Sequence, residues 1–250
     1  MKIVAIVQAR MLATRLPGKV LADIAGKALI TRVIERVNAC PAIHSIVVAT
    51  TTEQADDELV EKLSHSCRSC IFRGSLLDVL DRYYQCARSV GADIVVRITA
   101  DDPLKDPEII GRAIQMLLQD PALDYCSNTL DPSYPEGLDV EVFRFGALEC
   151  AWREAKLASE REHVTPYIWK HTERFRTRNF AMQPNLSTWR WTVDKPNDLE
   201  FMRAVFGHFA GQPLVSYRDV ITWLEANPQV MQINAGTRRN EGYFKSLEVE

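Results

Sequence analysis

The chain has 250 residues, of which 46% are hydrophobic, 25% charged and 8% aromatic, enough apolar mass for a packed core and too much for an intrinsically disordered chain. A formal charge of -3 leaves no overall basic field, so neither nucleic acid nor a membrane surface is expected as a partner. The 30 basic residues are 21 Arg and 9 Lys, and Arg is the better fork for phosphate and carboxylate oxygens.

Ile3 to Val7 is a short continuous apolar run, the pattern of a strand buried on both faces. It is too short for a secretory signal, and no apolar run reaches the ~18 residues a membrane span needs, so a cytoplasmic protein is expected. Leu29, Ile30, Val33, Ile34 and Val37 share one helical face, which Cys40-Pro41 ends. Residues 45–50 read as a second buried strand, followed by a helix whose first turns carry Glu53, Asp56, Asp57 and Glu58, where the dipole favours acids. Ile71-Phe72 gives a short strand, Leu76 to Ala87 a helix and Asp93 to Ile98 a strand; Pro107 opens the next helix. Cys67 and Cys70 form a lone CxxC without a second metal half-site, and read as incidental thiols.

This β-α rhythm through about residue 120 argues for an α/β fold with a mainly parallel sheet flanked by helices. Ligands of such sheets sit beyond the carboxyl ends of the strands. After residue 120 the rhythm becomes mixed. Residues 138–143 alternate as a half-buried strand; helices are expected near 146–157, 160–171, 196–209 and 216–226, and strands over 175–182 and 189–193. No linker or repeat interrupts the chain, so one domain is expected over residues 1–250.

Three strand-end segments carry the chemistry. The loop Ala9-Arg10-Met11-Leu12-Ala13-Thr14-Arg15-Leu16-Pro17-Gly18-Lys19 places three cations where a triphosphate could be met; it is neither a Walker A loop nor GxGxxG, and alone it could equally be a solvated basic loop. Thr99-Ala100-Asp101-Asp102-Pro103-Leu104 and Val193-Asp194-Lys195-Pro196-Asn197-Asp198-Leu199 each put an aspartate at a strand end. Singly each reads as a turn or helix cap; together, beside a phosphate loop, Asp101 and Asp194 suit a shared Mg²⁺. Thr50, Arg73, Asp78, Arg82 and Arg97, in or near the strand-end loops, are candidates for substrate contacts, and Glu162 and His163 for contact with an acceptor, although a solvated helix start accounts for the last two somewhat better. Trp189 and Trp191 suit core or dimer packing better than a sugar platform.

These three segments resemble the acylneuraminate cytidylyltransferase family. Arg73-Gly74-Ser75-Leu76-Leu77-Asp78-Val79-Leu80-Asp81-Arg82-Tyr83, Glu136-Gly137-Leu138-Asp139-Val140-Glu141, Arg161-Glu162-His163-Val164-Thr165-Pro166 and Arg239-Asn240-Glu241-Gly242-Tyr243 are similar to its spore coat polysaccharide biosynthesis protein F branch. The resemblance implies a Rossmann-like domain of the nucleotide-diphospho-sugar transferase type, with residues 1–120 holding the nucleotide and 121–250 serving the acceptor and a homodimer contact. It implies a Mg²⁺-dependent cytidylyltransferase that joins CTP to a sugar, with Arg10, Lys19 and Asp101 catalytic, Arg15 on the phosphates, and Asp101 and Asp194 on the metal. Leu12-Ala13 stands where the family commonly has Gly-Ser, which removes an easy close approach of backbone to phosphate. The alternatives are a glycosyltransferase on a similar fold, or a nucleotide-binding relative without catalysis.

Overall fold

The computed structural model describes residues 1–66, 70–212 and 214–247. Cys67 lies outside the described residues, and Cys70 is an exposed free thiol. The first half runs β1 (Ile3–Gln8), a small hairpin of β2 (Asp23–Ile24) and β3 (Lys27–Ala28), α1 (Leu29–Asn38), β4 (Ser45–Thr51), α2 (Asp57–Ser66), β5 (Cys70–Gly74), α3 (Val79–Ser89), β6 (Ile94–Thr99) and α4 (Pro107–Gln119). The second half adds β7 (Tyr125–Ser127), β8 (Glu141–Arg144), α5 (Phe145–Glu154), α6 (Ala158–His163), α7 (Pro166–Lys170), β9 (Thr177–Asn179), α8 (Pro196–His208), α9 (Tyr217–Ala226), α10 (Pro228–Met231) and α11 (Glu241–Leu247).

One seven-stranded sheet runs through both halves in the order β5-β4-β1-β6-β8-β7-β9. The β5-β4-β1-β6 portion is parallel. β8 then enters antiparallel between β6 and β7, and β9 closes the far edge parallel to β7. Alternate residues of β1 face opposite layers: Ile3, Ala5 and Val7 pack toward α1, α4, α8 and α9, and Val4 and Ile6 toward α3, α5 and α7. Coverage on both faces explains the uninterrupted apolar runs of β1 and β4 and the apolar run of β6, broken only by Arg97. None of the described helices is long and apolar enough to cross a membrane.

Several expectations change. The segment 189–193 is not a ladder strand; its one bridge is Arg190 to Glu136, reinforced by Glu136 N–H donating to Trp189 O at 2.9 Å and Trp191 N–H to Glu136 O at 2.6 Å. Trp191 is buried in the core and Trp189 packs against it. The alternation of 138–143 is not a half-buried strand. β8 begins only at Glu141 and is buried on both faces, and its one acid is tolerated because Arg97, Tyr125 and Thr165 all donate to it. The helix expected over 160–171 is two short ones, since Val164 has a φ of 74° and Pro166 starts α7. The strand expected over 175–182 shortens to β9, and α3 starts at Val79 because Asp78 caps it, its side chain accepting from Asp81 N–H at 2.9 Å.

Candidate active site

β1 delivers the basic loop at its carboxyl end, and the loop is closed on itself. The Met11 carbonyl accepts from Ala13 N–H at 2.9 Å and Gly18 N–H at 2.8 Å. Gly18 has a φ of 73°, which leads the chain into a 3-10 turn that starts at Lys19. The loop is also tied to the body through Asp56, which accepts from Met11 N–H at 2.7 Å and from the Thr50 hydroxyl at 2.8 Å. Burial would raise the Asp56 carboxyl, but these bonds hold it below the usual carboxylate range. Leu12 points to solvent, and Ala13 reaches the cavity wall.

Lys19 is the centre of the site. Its side chain is 9% exposed, and its ammonium donates to Asp101 Oδ2 at 2.8 Å, Asp194 Oδ1 at 2.7 Å and the Val193 carbonyl at 2.7 Å. All three protons are used. Asp101 follows β6, and Asp194 precedes α8; Val193 N–H donates to Asp101 O at 2.9 Å and locks the two segments side by side. Burial alone would lower the lysine pKa, but the two carboxylates outweigh it and raise it, so Lys19 stays charged. Burial would raise Asp194, yet Lys19, Arg15 and Arg190 pull it down to about 2. Arg15 and Arg190 meet the other Asp194 oxygen at 2.8 and 2.9 Å. Arg190 also bonds Glu136 and Asp198.

Two cavities share the Asp101 and Asp194 carboxylates of this cluster as a common wall. One, of about 510 Å³, is lined by Arg10, Arg15, Lys19, Arg82 and Glu162. The other, of about 420 Å³, is lined by Arg97, Lys105, Asp139, Glu141, Trp169 and Tyr243. Arg15, Asp101, His163 and Asp194 border both. Of the residues expected from the sequence, the structure therefore gathers Arg10, Arg15, Lys19, Arg82, Arg97, Asp101, Glu162, His163 and Asp194 around one crevice. It does not bring Thr50, Arg73 or Asp78 to either cavity. Thr50 is buried behind the loop against Asp56. Arg73 folds onto Thr51 O, Glu53 O and Asp57. Asp78 caps α3 and pairs with Arg161. Asp102, adjacent to Asp101, is buried on Lys105 at 2.8 Å and Thr99 at 2.6 Å.

Among the described residues, no group of three or more His, Cys, Asp or Glu could hold a metal by itself. The two aspartates still suit a hard divalent ion that draws its other ligands from phosphates and water. Asp101 Oδ1 has no hydrogen-bond partner among the described residues, whereas both oxygens of Asp194 carry cations. Asp101 is thus the readier ligand.

A model of the cytidylyltransferase family matches residues 4–215 of this chain. The chain belongs to the cytidylyltransferase family. Over 232 residues, 89% of this chain and 94% of the relative, it is 33% identical to the spore coat polysaccharide biosynthesis protein SpsF of Bacillus subtilis. An uncharacterised protein of Methanocaldococcus jannaschii is 37% identical over 243 residues, 96% of this chain and 97% of the relative. A cytidylyltransferase from Leptospira borgpetersenii superposes with a TM-score of 0.89 at 30% identity, covering 95% of this chain and all of that one. The protein is therefore a nucleotidyltransferase with a cytidylyltransferase fold.

Within this family member, sequence reasoning missed the Asp56 anchor, the Arg190–Glu136–Asp198 network and the C-terminal helix. The first had a signal in the paired hydroxyls of Thr50-Thr51, which a buried carboxylate can collect. His163 carries a testable consequence. Burial, with help from Arg97, pushes its imidazole down to about 4 against the opposing pull of Glu141, so it is neutral at pH 7, with Nε2 3.0 Å from Ser246 Oγ. A depressed histidine pKa gives stability that is full above the unfolded value near 6.5 and is lost as pH falls toward 4. Melting curves across that window should show a loss of about 1 to 2 kcal/mol, discounted for partial exposure, that a His163→Gln enzyme lacks. Burial pushes the Glu136 and Asp139 carboxyls up, and these act in the opposite sense, so the difference between the two proteins is the readout. Parallel pH profiles would remove the assignment.

Proposed function

We propose that this enzyme joins CTP to a sugar, with Mg²⁺, to give a CMP-sugar and pyrophosphate for polysaccharide or glycoconjugate synthesis. The observation that carries this reading is the shared wall: a cation-rich cavity and a cavity of mixed polar and aromatic lining meet at Arg15, Asp101 and Asp194, and Lys19 grips both aspartates from the cation-rich side. Each is of a size suited to a small-molecule ligand. The family match and the similarity to the Bacillus spore coat polysaccharide biosynthesis protein support it.

In this reading the triphosphate lies over Arg10, Arg15 and Lys19, with the first half of the chain holding the nucleotide and the second half serving the acceptor. A sugar hydroxyl forms the new bond to the α-phosphorus, the bond from the α-phosphorus to its bridging oxygen breaks, and pyrophosphate leaves as the hydroxyl proton is released. Charge builds on phosphate oxygens as this happens, and preplaced cations stabilise it without reorganising. Lys19 is held in place by three acceptors before substrate arrives, which is the preorganisation this requires. Asp101, with Asp194, would hold the Mg²⁺, which supplies charge neutralisation across the phosphates. A cytoplasmic homodimer belongs to the same reading.

Incubation with CTP, Mg²⁺ and a panel of sugars and sugar acids should release pyrophosphate and yield a CMP-sugar, and CTP with Mg²⁺ should raise the melting temperature. A chain that neither binds CTP nor is stabilised by it overturns the reading. Release of nucleoside diphosphate from a nucleotide sugar would point instead to glycosyl transfer. Such an enzyme would draw on a DxD-type acid pair, a role for which the buried Asp102–Lys105 pair leaves Asp102 poorly placed.

A further inference from the structure

Residues 239–247 lie beyond the stretch that the family model matches, yet they border both cavities. Gly242 reaches each, Tyr243 and Phe244 line the mixed one, and Lys245 and Ser246 line the cationic one. The segment is hung on the body at both ends. Arg239 donates to Tyr134 O at 3.0 Å and to Asp139, and Asn240 N–H donates to Glu136 Oε1 at 3.0 Å. Further along, Ser246 meets His163, and the Tyr243 ring stands edge-on to His163 and Trp169, at 5.1 and 6.0 Å between centroids.

Between these anchors, Glu241 reaches into the crevice. Its Oε2 accepts from Arg15 Nη1 at 2.7 Å and lies 3.7 Å from Lys195 Nζ, and its Oε1 accepts from Lys245 within the helix at 2.8 Å. Arg15 therefore bonds two acids, which differ in how firmly they are held. Asp194 is 18% exposed and fixed by Lys19 and Arg190 as well. Glu241 is 28% exposed, and its other partners, Lys195 and Lys245, are 36% and 63% exposed. Phosphate oxygens compete well for a guanidinium, since they carry more charge and accept forked donors. Of the two acids, Glu241 is the one that can be replaced.

We propose that Glu241 is a displaceable counter-ion of the phosphate site, standing on Arg15 and Lys195 while no triphosphate is bound and giving way when one binds. This rests on the reading of Arg15 as a phosphate contact. Glu241 is then a positioning residue that acts through Arg15: it keeps the cations from collapsing elsewhere and sets the affinity for the nucleotide. Because α11 also carries the Tyr243 wall of the mixed cavity, the displacement is felt where the acceptor binds.

Calorimetric titration of CTP with Mg²⁺ tests this on four full-length proteins: wild type, Glu241→Gln, Arg15→Gln and the double variant. Both substitutions change partly exposed side chains. Glu241→Gln should tighten CTP binding about fivefold, the scale of an exposed ion pair that no longer has to be broken. Arg15→Gln should weaken binding, and most of the gain from Glu241→Gln should vanish in its background. A helix that served only to stabilise the fold would not produce that coupling. Unchanged or weaker binding by Glu241→Gln overturns the proposal, as does a full gain that persists without Arg15. If the wild type itself binds no CTP, the functional reading fails first; if it binds CTP and Glu241→Gln does not tighten it, only the counter-ion is lost.

Discussion

Lys19→Met should lower kcat for pyrophosphate release by about a thousandfold, the scale seen when preorganised electrostatic stabilisation of developing charge is removed. The same substitution should lower stability by about 3 kcal/mol. Both effects follow from one geometry. The ammonium satisfies Asp101, Asp194 and the Val193 carbonyl at once, and methionine keeps the unbranched shape of the side chain, one atom shorter, but leaves those acceptors facing one another. Arg15 and Arg190 would still hold Asp194, while Asp101 would lose its one ion pair among the described residues. Steady-state kinetics and denaturant unfolding separate the two effects. A Lys19→Met enzyme within tenfold of wild type would remove Lys19 from the chemistry, whatever its stability.

Gly137→Ala should lower stability by about 4 kcal/mol and take most of the activity with it. Gly137 has a φ of +106°, and a Cβ built there would stand 2.2 Å from the Trp191 carbonyl oxygen and 2.5 Å from its carbon. Both atoms are backbone, so no side chain can rotate away. The strand-like contact between Glu136 and residues 189–191 would have to open. That contact orients Arg190, and Arg190 in turn holds Glu136, Asp194 and Asp198. A methyl group outside the crevice thus acts on Asp194 through the chain that carries it. Chemical denaturation and CTP titration of Gly137→Ala check this; a protein of wild-type stability would show that the two segments part at little cost.

The parallel half was legible because its strands are covered on both faces, so β1, β4 and β6 stand out as short apolar runs, interrupted only by Arg97 in β6, and their carboxyl ends name the loops to inspect. Asp101 and Lys19 follow from that rule alone. The second half was harder for a specific reason. Glu141 lies inside a buried strand, and its acid in the sequence imitates the solvent face of a half-exposed one; only the partners Arg97, Tyr125 and Thr165, each distant in sequence, reveal otherwise. The segment 189–193 has the composition of a strand but finds one bridge partner, since its polar groups are met by a turn at Glu136 instead of a ladder. Arg73 and Asp78 were drawn into the expected site by their place after a strand, but Thr51 O, Glu53 O and Asp57, 16 to 22 residues away, claim Arg73, and the cap of α3 and the distant Arg161 claim Asp78. The cap is a short side chain to backbone bond, which leaves little mark in a single sequence.

The bonds that build the crevice also fix when it can exist. Lys19 meets Asp101 across 82 residues and Asp194 across 175, and Arg15 meets Glu241 across 226. Contacts so distant along the chain form late, because each requires a long loop to be closed first. The parallel strands can pair while the C-terminal third is still being synthesised, but the ammonium then has only one of its two carboxylates and Arg15 has neither. A growing chain of this protein is consequently unable to assemble the proposed triphosphate site before Asp194 and Glu241 have been added, and a nucleotide bound there would stabilise only chains that carry both.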